Sequence, residues 1–177
     1  MPIRPLTLED VPALTEQVRL NREFLAPFEP TRDGEYFTEA GQLAIVQATL
    51  RQQDDGVTAA YVIHDDELLV GRITLSEIVR GPLQSCSLGY WVAESHNGGG
   101  LASGAVHDVL RAAFDDHRLH RVQAGTLVHN TRSQHVLARN GFVRIGLAPQ
   151  MLRIAGRWQD HILFQVIAPS PEQPQDS

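Results

Sequence analysis

Residues 87–103 read SLGYWVAESHNGGGLAS: an apolar run, a turn of three consecutive glycines, and the start of a helical pattern. A strand that turns tightly into a helix brings unpaired N–H groups and the positive end of the helix dipole to one point, which suits an anion. Glycines let the backbone close around that anion without side chains in the way. Two nucleotide-binding motifs do not fit. A P-loop carries Lys and then Ser or Thr after its last glycine, where this chain has Leu101 and Ala102. A dinucleotide fingerprint opens a βαβ unit at its first strand, whereas several strand-like runs and two helical patterns precede this turn.

Downstream of the turn, Leu101, Ala105, Val109, Leu110, Ala113 and Phe114 mark one stripe of a helix over 101–117. Residues 121–128 alternate, with Val122, Ala124, Thr126 and Val128 on one side, and predict a strand. Asn130 starts a short helix over Val136 and Leu137 that Asn140-Gly141 stops, and 147–154 and 158–167 predict a hairpin around 155–157. Upstream, 86–93 is the strand entering the turn, and 57–64 and 67–75 form a hairpin at Asp65-Asp66. The N-terminal part predicts an edge strand over 2–6, limited by Pro2 and Pro5. A helix follows, capped by Thr7 with Asp10 in the capping-box position, and presents Leu8, Val11, Leu14 and Val18 as far as Arg22. Thr38 caps a second helix with Leu43, Val46 and Leu50 on one face, closed by Asp54-Asp55-Gly56. Between the two helices, EFLAPFEPTRDGEYF reads as a loop that displays aromatic surface.

This order predicts a single-domain mixed α/β fold over 1–168, with a mostly antiparallel sheet flanked by helices. The crossover through the 101–117 helix makes its two flanking strands parallel neighbours. Residues 169–177, PSPEQPQDS, predict a disordered tail. The chain of 177 residues has a net charge of −6, which argues against a nonspecific nucleic-acid binder and predicts no direct nucleic-acid partner. Its one cysteine, Cys86, forms no internal disulfide; with no secretory pattern at the start, a cytoplasmic location is expected. No apolar run approaches the roughly 20 residues of a membrane span, so no membrane partner is expected. Eight histidines include His117, His120, His129 and His135 in one region, but none forms a dense ligand motif, and no metal is expected.

Asn97-Gly-Gly-Gly-Leu-Ala102 resembles the acetyl-coenzyme A pyrophosphate loop of the GCN5-related N-acetyltransferase (GNAT) family, Gln/Arg-x-x-Gly-x-Gly/Ala. Gly100 and Ala102 match that pattern, and Asn97 replaces its leading Gln or Arg. LSEIVRGPLQSCSLGYW, HRVQAGTLVHNTRSQHVLARNGF, GRWQDHIL and NREFLAPFEP resemble the ribosomal-protein-alanine acetyltransferase branch, of the RimJ and RimL kind. The resemblance implies acetyl-CoA as co-substrate, held by Asn97, Gly98, Gly99, Gly100, Leu101, Ala102 and Ser103. It also implies that the strand at 87–93 splays from its neighbour at 121–128 to admit the pantetheine arm, with Tyr90, Trp91 and Val92 acting largely through main chain. For Tyr90 and Trp91 the competing reading is core packing, since alternate residues point to opposite faces. By the same resemblance Asn130 contacts pantetheine and Ser133 lies near the sulfur as proton donor. A homodimer is implied by relatives that often dimerise.

Acetyl transfer to an amine needs a neutral nucleophile, oxyanion donors and a proton for the departing thiolate, and it needs no covalent enzyme intermediate. Cys86 lacks a paired histidine motif and reads as a buried, inert thiol. Glu77, at the end of the third strand, is the expected catalytic base; Glu29, Asp160 and His161 are alternatives. Phe28, Glu29, Glu77 and Asp160 are the expected acceptor-side residues. An α-amine, with pKa about 8, needs less help from a base than a lysine amine near about 10. That difference favours a protein N-terminus as acceptor, with a small-molecule amine or a non-catalytic coenzyme A-binding module as the other readings.

Overall fold

The computed structural model describes residues 2–169, so the tail expected from 169 onward lies almost wholly outside the described residues. Seven strands form one sheet: β1 (Ile3–Pro5), β2 (Ala59–Asp65), β3 (Leu68–Val79), β4 (Ser85–Val92), β5 (Arg121–Leu127), β6 (Val143–Ile154) and β7 (Arg157–Ile167). Their spatial order is β1-β2-β3-β4-β5-β7-β6. Every neighbouring pair is antiparallel except β4 and β5. The helices are α1 (Val11–Leu20), α2 (Arg22–Leu25), α3 (Glu39–Asp54), α4 (Leu101–Arg111) and α5 (Thr131–Arg139). The mixed sheet with one parallel pair is therefore the architecture that the hydrophobic periodicity predicts.

Helices cover both faces. The larger core lies under α4, where Ala105, Val106 and Val109 meet Ile73, Leu75, Leu88 and Val122 of the sheet. On the other face Val11 and Leu14 of α1 and Val46 of α3 pack on Ala60, Val62 and Leu69. Full burial of each such aliphatic side chain contributes about 1.5–3 kcal/mol, so both faces are committed to their helices. Alternation along β4 follows from this: Cys86, Leu88 and Tyr90 join the α4 side, while Trp91 packs toward the α1 and α3 side.

Some expectations change in detail. The 21–37 segment is not all loop, because α2 continues α1 after a break at Asn21 and a 3-10 turn covers Glu35–Phe37. The buried face of α3 runs through Gln42, Val46 and Thr49, and Leu43 turns outward. Only the tertiary neighbours decide which residues of so weakly amphipathic a helix face inward. β3 extends to Val79 across a bulge, and β6 begins at Val143, because register with the neighbouring strand outweighs the local sequence pattern. Val128, expected on the buried side of β5, lies past the strand end and is exposed. The Thr7 start forms as predicted, with the Thr7 amide donating to Asp10 Oδ2 at 2.9 Å and Arg4 closing on the same carboxylate. Burial of Asp10 would raise its pKa, but the hydrogen bonds from Arg4 and Thr7 win and hold it low.

Candidate active site

The parallel pairing of β4 and β5 covers only Ser85 with Arg121, Cys86 with Val122 and Ser87 with Gln123. Beyond those pairs both strands continue, β4 to Val92 and β5 to Leu127, without pairing to each other. The main-chain edge of β4 from Leu88 to Val92 is thus left open toward β5, and a cavity of about 240 Å³ occupies the splay. Two residues past the last pair, each strand carries a glycine, Gly89 and Gly125, and both line the cavity. A Cβ on Gly89 would meet nothing within 4 Å, whereas one on Gly125 would reach Leu163 and His161, so the two strands leave a window with β7 side chains along one edge.

On the α4 side, the glycine turn has the form predicted for an anion cradle. Gly98 (φ +90°) and Gly100 (φ +84°) take left-handed conformations that other residues rarely adopt. Added Cβ atoms at 98, 99 and 100 would meet nothing within 4 Å, so the concave side is open. The first helical amide bond runs from Gly104 to the Gly100 carbonyl at 3.0 Å, which leaves the amides of Leu101, Ala102 and Ser103 directed out of the helix start. Asn97 spends its side-chain amide on the Ala93 carbonyl at 3.1 Å and so fixes the approach to the turn. Asn140 Nδ2 reaches Ser103 Oγ at 3.1 Å and ties α5 to the first turn of α4.

Asn130 caps α5 by accepting from the Ser133 amide at 3.2 Å, which sets that helix against the splay. Ser133 Oγ lies 2.8 Å from the Tyr90 hydroxyl. Burial pushes the Tyr90 phenol up to about 12 against the opposing effect of the Ser133 bond, so it stays protonated and able to donate. Tyr90 therefore has a side-chain role that main-chain reasoning did not include, while Trp91 packs partly against the α1 and α3 core and also lines the cavity. Thr126, 4% exposed, also lines the cavity, and its Oγ1 is buried with no hydrogen-bond partner among the described residues. Burial pushes the Cys86 thiol to about 12, in line with the inert thiol that its surroundings predict.

The opposite mouth of the splay is walled by the N-terminal segment. Phe24, Phe28 and Glu29 line it, with Phe28 6.2 Å from the Phe24 ring and 6.2 Å from His129. The Glu29 carbonyl accepts from the Ala155 amide at 3.0 Å, which anchors this segment on the β6–β7 turn. Asn21 Oδ1 accepts from the Glu94 amide at 2.8 Å and joins the same segment to the loop after β4. Burial raises the Glu29 pKa against the weaker pull of Arg32, 3.8 Å away. His161, 4% exposed, completes this wall.

The structure thus brings together most of the residues singled out from sequence: Tyr90, Trp91, Val92, Asn97, Ala102, Asn130, Ser133, Phe28 and Glu29 all line one cavity. Glu77 lies elsewhere. It occupies the β3 bulge with φ +53°, is exposed, and accepts from Ser87 Oγ at 2.7 Å beside an adjoining hollow that shares Gly89 and Gly125 with the splay. Asp160 lines neither space; it accepts from the Gln150 amide at 2.8 Å and pins the β6 bulge. Sequence reasoning missed Phe24, Gly89, Gly125 and Thr126. The two strand-interior glycines carried the available signal, since glycine inside a strand marks close approach of another group.

The strand splay thus joins an open glycine turn at one mouth to a carboxylate and aromatics at the other. The profile of the acetyltransferase (GNAT) domain matches residues 1–143. A Bacillus subtilis protein named "Probable N-acetyltransferase YjcK" is 33% identical over 97% of this chain and 96% of its own. The [Ribosomal protein uS5]-alanine N-acetyltransferase of Escherichia coli is 32% identical over 84% and 78%. The structure of Mycobacterium smegmatis RimJ in complex with CoA-disulfide superposes with a TM-score of 0.92 at 32% identity, covering 97% of this chain and 83% of that one. The chain belongs to the GNAT acetyltransferase family and is an acetyl-CoA-dependent N-acetyltransferase. The site fits that co-substrate: open left-handed glycines and free helix-start amides suit a pyrophosphate, and the orphaned Thr126 hydroxyl beside unpaired strand edge suits an amide-bearing arm. Among the described residues no helix is long and apolar enough to cross a membrane.

Proposed function

We propose that the chain acetylates the N-terminal α-amine of a protein, a ribosomal one, by direct attack on acetyl-CoA. The observation that carries this reading is the splay cavity, which has a cradle for the donor on one face and an aromatic mouth bearing Glu29 on the other. The ribosomal-protein-alanine acetyltransferase among the relatives supports the choice of acceptor. Gly98 to Ser103 hold the pyrophosphate through backbone, with Asn97 fixing the turn, and the open edge at Tyr90, Trp91 and Val92, together with Asn130, holds the pantetheine arm. Phe28 packs on the acceptor chain, and Glu29 and Glu77 attract its cationic end; Asp160 steadies the β6 side of that region through Gln150. Ser133, oriented by Tyr90, gives its hydroxyl proton to the departing thiolate. Such work belongs to the cytoplasm, in keeping with one cysteine in the chain.

Incubation with acetyl-CoA and an alanine-initiated peptide, followed by mass spectrometry, is expected to show acetylation at the α-amine. Acetylation of a polyamine or an aminoglycoside with none of the peptide would overturn the choice of acceptor. Ser133→Ala is expected to lower kcat by about 10- to 100-fold while calorimetric affinity for CoA changes less than about threefold. Unchanged kcat removes Ser133 from the proton-donor role.

A further inference from the structure

His161 sits on β7 directly across from Leu127 of β5 and is almost fully buried. Its Nδ1 lies 3.0 Å from the Gln159 carbonyl, which can only accept, so Nδ1 carries the proton of the neutral ring and Nε2 carries the lone pair. Among the described residues Nε2 has no hydrogen-bond partner. The ring packs over the window: a Cβ on Gly125 would lie 3.8 Å from His161 Cδ2, the ring carbon bonded to Nε2. A buried imidazole that lines the cavity, with one nitrogen committed to a carbonyl and the other left as the lone-pair nitrogen, is arranged to receive a proton there.

We propose that His161 is the general base of the transfer; this rests on the donor lying in the splay as proposed above. The acceptor reacts as the free amine, about a tenth of an α-amine population at pH 7. As its nitrogen forms the C–N bond to the acetyl carbon, Nε2 takes the proton that the nitrogen loses. The C–S bond breaks, and the thiolate takes the Ser133 hydroxyl proton from the other face of the sheet. Net movement of one proton through water returns the imidazolium and the serine alkoxide to their resting forms. The carboxylates are less well placed. Glu77 is exposed on its bulge and bonded to Ser87, and Asp160 is committed to Gln150. Glu29 shares the cavity, but the Arg32 guanidinium 3.8 Å away works against its taking up a proton. Titratable and charged groups around the same space are Glu29 from the N-terminal segment, Tyr90 from β4, Arg132 from α5 and His129, whose ring lies tilted 6.2 Å from Phe28.

The test compares wild type with His161→Gln, using acetyl-CoA and an alanine-initiated peptide. The variant is expected to lose about 10²- to 10³-fold in kcat, while calorimetric affinity for CoA stays within about threefold. A kcat within about threefold of wild type overturns the proposal. Should the variant fail to fold, long-range ¹H–¹⁵N correlation on the wild-type chain reads the tautomer directly: a proton on Nδ1 is expected, and a proton on Nε2 overturns the proposal. Wild type that binds no CoA, or acetylates no peptide, counts against the functional reading instead, and the tautomer still decides the status of His161.

Discussion

The two mouths of the splay are built by different means. On the α4 side the lining comes largely from one stretch of chain, Leu88 to Ala102 with its glycine turn, and Asn130 and Ser133 are added from the start of α5. On the opposite side it is side chain, drawn from Phe24, Phe28 and Glu29 near one end of the chain and His161 near the other, with Gly89 and Gly125 between them. A pyrophosphate presents the same charge to every enzyme that uses it, so amides and glycines at a helix start suffice. An acceptor differs from enzyme to enzyme, and side chains carried on separate segments can change without disturbing the donor cradle.

The hardest way to break this contrast is through the cradle. Gly100→Val places a β-branched side chain at φ +84° on the open concave side, and CoA binding should fall by more than about 100-fold in calorimetry. Binding within about tenfold of wild type would mean that the backbone cradle is not the donor site. Gly89→Leu tests the window between the mouths. With nothing within 4 Å of its Cβ the variant should fold, yet it should lower kcat/KM for the alanine-initiated peptide by about 10- to 100-fold and spare affinity for 3′,5′-ADP, which lacks the arm. Equal losses on both probes would show that the two mouths are not separable at this point. The smallest effect is expected from Glu29→Gln, a rise in peptide KM of about three- to tenfold with CoA affinity unchanged. Burial raises the Glu29 pKa, so its charge is lost earlier than usual as pH falls. The wild-type peptide KM should therefore climb on acidification and the variant's KM should not follow it. A parallel pH dependence in both would remove Glu29 from acceptor attraction.

The same contrast explains what could be read in advance. The glycine turn, the helix it opens and the Asn130 cap are local, and each announces itself within a few residues. Thr38 and its helix were legible for the same reason, although which face of that helix is buried was not, because Leu43 and Thr49 exchange places only through contact with the sheet. The hydroxyl of Tyr90 and the orphaned hydroxyl of Thr126 gained meaning from neighbours 43 residues away in one case and from the lack of any in the other. Glu77 stood out as a strand-end carboxylate, yet a bulge that depends on register with β4 turns it outward.

The sequence by itself determined the alternation of strands and helices, the parallel pair forced by the α4 crossover and the anion cradle at its start. These depend on periodicity, capping and backbone freedom, which act over one or two turns of chain. Only the tertiary structure decided where the parallel pairing stops, that Gly89 and Gly125 open a window there, and that His161 and Glu29 meet at it. Those juxtapositions join segments distant in the chain, Glu29 and His161 more than 100 residues apart, and they exist only because packing both sheet faces fixes the register of strands that no local pattern specifies.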